Sequence, residues 1–431
     1  MARRHTVRGT GSARSRLIGR AGWSFADQAL SSLSNAALSI LMAKATGVEG
    51  YGAFAVAFTV FTFLAGVSRA LVNQPYLMTF AGAAPDAARA GVRAGTGLAL
   101  IFGAGCAVLI VPVALVVGGS AAAAVSVVVL FLPVLLVQDV WRSVFVARQQ
   151  PRAAAANDAL WAVLQFGGLG VAVSAGVRDP VVLILIWVGT GWVAAAAAVA
   201  RGRALPSVRD GVGFARRTRG ASRFLVAEWL TVLGAAQLAL LAVGTLGSPA
   251  DVGSLRAAQT LLGPLTILVV GTFGFLLPEL VRRPGSSTRR LRLVAAAVGG
   301  LLTVTTLVWG LGLLALPEHL GRALLGDIWP GARETLLSMT LWMVGAALST
   351  GPMTVIRACG ETRATFLVNA LIGVLLLVCV PVGFVLGGAP GAAAGFAVAN
   401  LLPAPLFWVQ LELVLRRRRS PVAPVVVRTS G

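Results

Sequence analysis

The sequence predicts an all-α polytopic membrane protein: about twelve transmembrane helices in two six-helix bundles related by a parallel pseudo-two-fold repeat. Three observations carry this. Of 431 residues, 57% are hydrophobic and only 12% charged, against roughly 25% charged in a typical soluble domain. The apolar residues recur in runs of about 20, long enough to cross a hydrocarbon layer of roughly 30 Å as helices. The arginines alternate between rich and poor loops, as a regular series of crossings requires.

The runs place helices at 22–43, 51–72, 91–117, 121–147, 154–176, 180–200, 223–247, 255–281, 291–316, 334–356, 364–387 and 391–415. Prolines 112, 133, 264, 352, 381 and 403 fall in or near helix interiors and predict kinks. The basic N-terminal segment imitates the start of a signal peptide. The run after it leads to Lys44 without a cleavage site, so it reads as an uncleaved first helix.

With the N-terminus inside, 31 of the 36 Lys and Arg residues lie on the cytoplasmic side. The outer side keeps Lys44, Arg178, Arg256, Arg322 and Arg333. This predicts a multi-pass protein of the cytoplasmic membrane with both termini inside. It also accounts for the net charge of +21 as a topology signal and leaves nucleic acid out as a partner. The longest basic segment, Arg201 to Arg223, separates six helices from six. The expected organisation is a basic tail at 1–21, an N-terminal bundle at 22–200, a basic linker at 201–222, a C-terminal bundle at 223–415 and a basic tail at 416–431.

Equal halves invite a search for a repeat. Ala26-Asp27 matches Ala227-Glu228, and Gly47 and Gly52 match Gly247 and Gly253 one turn later. Ala147, Arg152 and Asp158 match Ala358, Arg363 and Asn369 at a constant offset. Both halves start on the same side, so the pseudo-axis runs along the membrane normal. Two similar lobes facing each other form a natural cavity for alternating access.

The first helix is unusually polar. Ser24, Asp27, Gln28, Ser31, Ser34 and Asn35 fall on one side at helical spacing. Such a stripe faces protein or water, because unpaired polar groups in hydrocarbon are costly. A wet cavity and a polar seam between helices both satisfy that. Arg69, Asp139, Arg142, Asp158, Glu228 and Arg357 lie toward cytoplasmic helix ends, and Asn73, Gln74, Asn157, Gln165 and Asn369 add hydrogen-bonding groups. Intramembrane ionisable residues are functional candidates. Simple snorkelling is the alternative for each arginine, and for Arg69 above all; it also covers Glu279 and Arg282. Asp139 and Arg142, three apart, are placed to pair along one helix. Arginine's planar fork binds phosphate oxygens in two parallel bonds, so arginines at a cytoplasmic cavity mouth suit a diphosphate headgroup. The neighbouring carboxylates would hold the arginines in place or couple to a proton or sodium ion.

Enzyme signatures are missing. There is no Walker A sequence, and Gly95-Thr96-Gly97 opens an apolar helix with no preceding strand. Cys106, Cys359 and Cys379 form no disulfide framework, and His5 and His319 are the only histidines. No metal or cofactor is expected. A membrane glycosyltransferase would present a larger outer loop with catalytic acids; the longest outer loop here, about 317–333, offers only Glu318, Asp327 and Glu334.

Three stretches resemble polysaccharide flippases of the O-antigen type. They are Ala26-Asp27-Gln28, then Ala43-Lys44-Ala45-Thr46-Gly47-Val48-Glu49-Gly50-Tyr51-Gly52-Ala53-Phe54-Ala55, then Arg69-Ala70-Leu71-Val72-Asn73-Gln74-Pro75. That family lies within the multidrug/oligosaccharidyl-lipid/polysaccharide exporter superfamily. The resemblance implies two bundles in a V. It also implies movement of an undecaprenyl-diphosphate-linked oligosaccharide from inner to outer leaflet, with membrane lipids and polysaccharide-assembly enzymes as partners. A drug/cation antiporter of the same superfamily is the alternative, and a non-transporting envelope scaffold a third.

Overall fold

The computed structural model describes residues 10–80, 83–148, 150–281 and 286–419. Side chains are described from residue 33 onward, apart from residues 146, 151, 232, 278, 418 and 419. Among the described residues there is no strand. Twelve long helices are present among the described residues. Helix 1 (10–46) and helix 2 (48–80) meet at Gly47, whose φ of 68° breaks the run. Helices 3 to 6 are Pro85–Val117, Gly119–Ala147, Pro151–Ser174 and Pro180–Gly202. Helix 7 (208–246) and helix 8 (249–281) follow, then helix 9, Thr288–Leu314, and helix 10, Trp329–Ala358. Helix 11 (362–386) and helix 12 (389–419) are separated by Gly387 and Gly388, the latter at φ 60°. Eight segments are long and apolar enough to cross a membrane, and two of these contain the glycine breaks. Ten of the twelve helices fall within these segments; helix 5 does not, and helix 7 contributes only the shorter apolar stretch Ala235–Leu246. With an even number of spans, residues 10 and 419 end on one face, called here the terminal face.

The stretch expected to be a linker is largely helical. Helix 7 begins at Val208, not 223. Ser207 caps it by accepting the Asp210 N–H, and Phe214 and Ser222 are buried. Its first turns lie on helix 3, where Gly97 and Gly211 let the backbones approach. The expected proline kinks are partly found. Pro264 and Pro403 lie beside interruptions, at Leu262 and at 402–403, while Pro112, Pro133, Pro352 and Pro381 sit inside helices. The other irregularities are π-turns at Arg69–Asn73 and Leu230–Gly234.

Within the first six helices, helix 4 packs on helices 3 and 6. Within the second six, helix 10 packs on helices 9 and 11. Glycines set the closest seams: Gly103 lies on the Pro133 backbone, and Gly383 faces Gly391. Small residues serve this purpose where helices associate without water between them.

The two lobes touch chiefly through helices 1 and 2 against helix 8. Gly52 rests on the Pro249 and Ala250 backbone, and Gly253 rests on Tyr51 and Gly52. Gly52 and Gly253 are mates in the sequence repeat. Residues related by a two-fold axis meet their own mates only on that axis, so this contact supports the repeat. It lies one to two turns from Gly47 and from Ser248, near the face opposite the termini. Deeper in, the Ser39 hydroxyl lies 2.6 Å from the Tyr51 hydroxyl and 3.0 Å from that of Thr260. Toward the terminal face, Trp229 of helix 7 wedges against Phe63 and Gly66 of helix 2, with ring centroids 5.4 Å apart in the first pair.

Candidate functional site

The polar residues converge in the first lobe. Helices 1, 2, 4, 5 and 6 enclose a cavity in the half nearer the terminal face. It is lined by Ser34, Asn35, Arg69, Gln138, Asp139, Arg142, Asp158 and Gln165, with Trp161 and Trp187 among its walls. Its volume is about 100 Å³, room for several waters. It is a polar network rather than an open substrate chamber in this conformation.

Two ion pairs organise the network. Arg69 clamps Asp139, with Nη2 to Oδ1 at 2.8 Å and Nε to Oδ2 at 2.9 Å. Asn73, one turn along helix 2, donates to Asp139 Oδ2 at 2.8 Å and to Ser143 Oγ at 3.0 Å. Arg142 Nε lies 3.2 Å from Asp158 Oδ2, and Gln138 donates to Asp158 Oδ1 at 3.2 Å. Beyond the expected proximity of Asp139 and Arg142 along helix 4, the hydrogen-bonded pairs join helices. The reason is geometric: Asp139 meets helix 2 and gives its oxygens to Arg69 and Asn73, while Arg142 reaches helix 5. Arg69, for which snorkelling was the alternative, is half exposed and yet anchored. Its fork is held by a carboxylate, and the π-turn that begins at Arg69 re-aims this part of helix 2.

The pairs are asymmetric. The Asp139 side chain is 13% exposed and that of Arg69 is 53% exposed. The acid therefore sits behind the guanidinium and leaves much of its surface open. The Arg142–Asp158 pair is deeper, at 21% and 15%.

Other expected residues fall elsewhere. Asp27, Gln28 and Ser31 lie outside the residues whose side chains are described, although helix 1 continues through them. On the same helix Ser34 and Asn35 line the cavity, whereas Leu33 points away and is exposed. Asn157 is buried beside Asp158 without lining the cavity, and Gln74 is exposed outside it. Arg357, expected to assist Arg69 and Arg142, belongs to the second lobe. There it lies 3.8 Å from Glu228, donates to Thr365 at 3.2 Å and stacks over Phe273. Asn369, the repeat mate of Asp158, is buried nearby against Met353.

Sequence reasoning passed over Gln138, Trp161 and Trp187, and read Arg256 only as an outer charge. Gln138 stands beside Asp139 in an otherwise apolar run, which was a usable signal. Arg256 lies at the lobe interface, 4.7 Å above the Phe58 ring, and donates to Gln259 at 3.2 Å. No carboxylate pairs with it among the described residues.

No protein-family model and no curated protein matches the sequence. Solved structures do match in shape. An inward-facing multidrug resistance MATE family transporter of the MOP superfamily superposes with a TM-score of 0.71 at 13% identity, covering 91% of this chain and 96% of that one. The lipid II flippase MurJ, in an inward closed conformation, gives 0.69 at 10% identity, covering 90% and 86%. An outward-facing MATE transporter gives 0.60 at 13% identity, covering 93% and 95%. The chain shares the fold of these structures. At these identities the likeness concerns the fold, which is that of an all-α polytopic membrane protein. Metal-ligand clusters are absent among the described residues.

Proposed function

We propose that this protein is an exporter of the polysaccharide-flippase type. It would move an undecaprenyl-diphosphate-linked oligosaccharide, or a related precursor, across the cytoplasmic membrane by alternating access, with the terminal face in the cytoplasm. The single observation that carries the reading is the way the arginines are presented. Each carboxylate of the cavity, Asp139 and Asp158, is already engaged by a guanidinium. The half-exposed Arg69 and the unpaired Arg256 are what the lobes offer to a ligand. That favours an anion over a cationic drug, for which free carboxylates would be needed.

The arrangement suggests how the substrate changes the conformation. A diphosphate reaching Arg69 and Arg142 would exchange internal pairs for bidentate anion contacts. It would then bind one state of the transporter more tightly, and only such a difference shifts a conformational equilibrium. Asp139 and Asp158, released from their arginines, would be free to take a proton or a sodium ion. In this reading the membrane supplies the lipid carrier, and polysaccharide-assembly enzymes supply the glycan.

The test is binding and flipping of a fluorescent polyprenyl-diphosphate sugar by reconstituted protein. Arg142→Lys keeps the charge and loses the fork, so we expect binding to weaken by about tenfold or more, with the protein still folded in the membrane. Normal export by both Arg142→Lys and Arg142→Ala would make Arg142 structural and sink the mechanism. Efflux of cationic dyes that requires Asp139 or Asp158 would favour the antiporter instead.

A further inference from the structure

We infer that the groove between residues 215–230 of helix 7 and the π-turn of helix 2 is a binding site for an anionic membrane phospholipid. Its phosphate would lie on Arg216, Arg219 and Arg223, and one acyl chain would run along Leu71, Val226 and Leu230. This site lies outside the polar cavity and does not depend on what the protein transports.

The groove encloses about 620 Å³ and is lined by these six residues with small neighbours. The helix 7 residues among them recur every three or four positions, so they form one stripe along the helix. The stripe changes character along its length. Its first part, over 216–223, is basic, and its second, over 226–230, is apolar. From Arg219 to Leu230 the helix rises about 16 Å, roughly half of a 30 Å hydrocarbon core. One leaflet's acyl chain has that length, and the phosphate of such a lipid would reach the arginines.

A run of arginines next to a membrane usually marks topology, and its charges face water. Here three facts distinguish these arginines from such a run. They overhang an apolar trough, which a merely solvated face would not need. Among the described residues no carboxylate pairs with Arg216, Arg219 or Arg223, although Asp210 on the same helix approaches Arg93 at 3.6 Å. The stripe is also fixed in place: the buried Ser222 hydroxyl donates to the Leu71 carbonyl at 3.3 Å, tying helix 7 to the π-turn. Arg223 stacks on Phe224 at 4.8 Å, which leaves the edges of its guanidinium free for oxygen acceptors. Basic pockets between helices at a membrane surface suit phosphate headgroups.

Native mass spectrometry of the delipidated, detergent-solubilised full chain tests this. The protein is titrated with phosphatidylglycerol and with phosphatidylcholine of the same chains. We expect retention of phosphatidylglycerol to exceed that of phosphatidylcholine by about tenfold or more. Arg219→Gln with Arg223→Gln should remove the preference, whereas Arg209→Gln with Arg217→Gln, an equal loss of charge outside the groove, should keep it. Ala227→Phe, which fills the groove without touching the charges, should weaken retention of the lipid. A large excess of inorganic phosphate should leave the lipid bound. Equal retention of the two lipids, an unchanged preference after loss of Arg219 and Arg223, or unweakened binding by the filled groove would overturn the proposal. Displacement by inorganic phosphate alone would likewise reduce the site to a phosphate contact with no place for the chain.

Discussion

Gly52→Ala probes the contact on the pseudo-axis. A methyl group at residue 52 would overlap the Pro249 carbonyl and the Ala250 amide. Both are backbone atoms, so no rotamer change relieves the clash. Forcing an extra methyl into a well-packed seam costs about 1–3 kcal/mol. That cost arises only in states where helices 2 and 8 touch, so it disfavours closure at the face opposite the termini by about 5- to 150-fold. At Gly253 a methyl would lie 3.2 Å from Tyr51 and 3.3 Å from Gly52, which a small shift accommodates, so Gly253→Ala should act in the same direction more weakly. Gly105 has nothing within 4 Å, and Gly105→Ala serves as the control. Spin labels at Ala175 of the first lobe and Leu320 of the second, in a background without native cysteines, report separation by double electron–electron resonance. We expect a longer-distance population that grows from Gly105→Ala through Gly253→Ala to Gly52→Ala. Identical distributions for Gly52→Ala and Gly105→Ala would show that these glycines do not gate the lobes.

Two further predictions concern ion pairs, which the structure ranks. Asp139→Asn should destabilise the protein by about 1–2 kcal/mol, short of the ~3–5 kcal/mol for breaking a fully buried pair, because Arg69 is 53% exposed and turns toward water. A double-mutant cycle with Arg69→Gln, read by thermal unfolding in detergent, checks this, and a coupling near zero would refute the clamp. Arg292 and Glu412 also pair closely, at 2.6 Å, but both side chains are near 40% exposed. Glu412→Gln should therefore leave the unfolding temperature essentially unchanged, and a clear loss in the same assay would mean that the pair is shielded.

The fold was largely legible because membrane crossing constrains sequence strongly. Twelve apolar runs, the alternation of arginine and the glycines at 47 and 247 placed helices that the structure repeats within a few residues at most ends. The beginning of helix 7 was not legible. Its first turns are basic and weakly apolar, so they carry no membrane signal. They are helical because Phe214 and Gly211 bury one face on helix 3, a tertiary fact that a hydropathy scan does not see.

The site shows the same division between local and non-local information. The residue types were readable, since an arginine or aspartate in an apolar run is conspicuous wherever it lies. Their partners were not. Spacing along one helix offered Asp139 to Arg142, and nothing in the chain order suggested that residue 69 would reach residue 139 or that residue 142 would reach 158. Those choices depend on which side of helix 4 faces helix 2 and which faces helix 5. The outcome has a mechanical consequence. A pair within helix 4 would travel with that helix and oppose no motion. Pairs from helix 2 to helix 4 and from helix 4 to helix 5 instead staple three helices of one lobe. Any ligand that captures the arginines must loosen the staples, so binding there is coupled to the packing of the lobe itself.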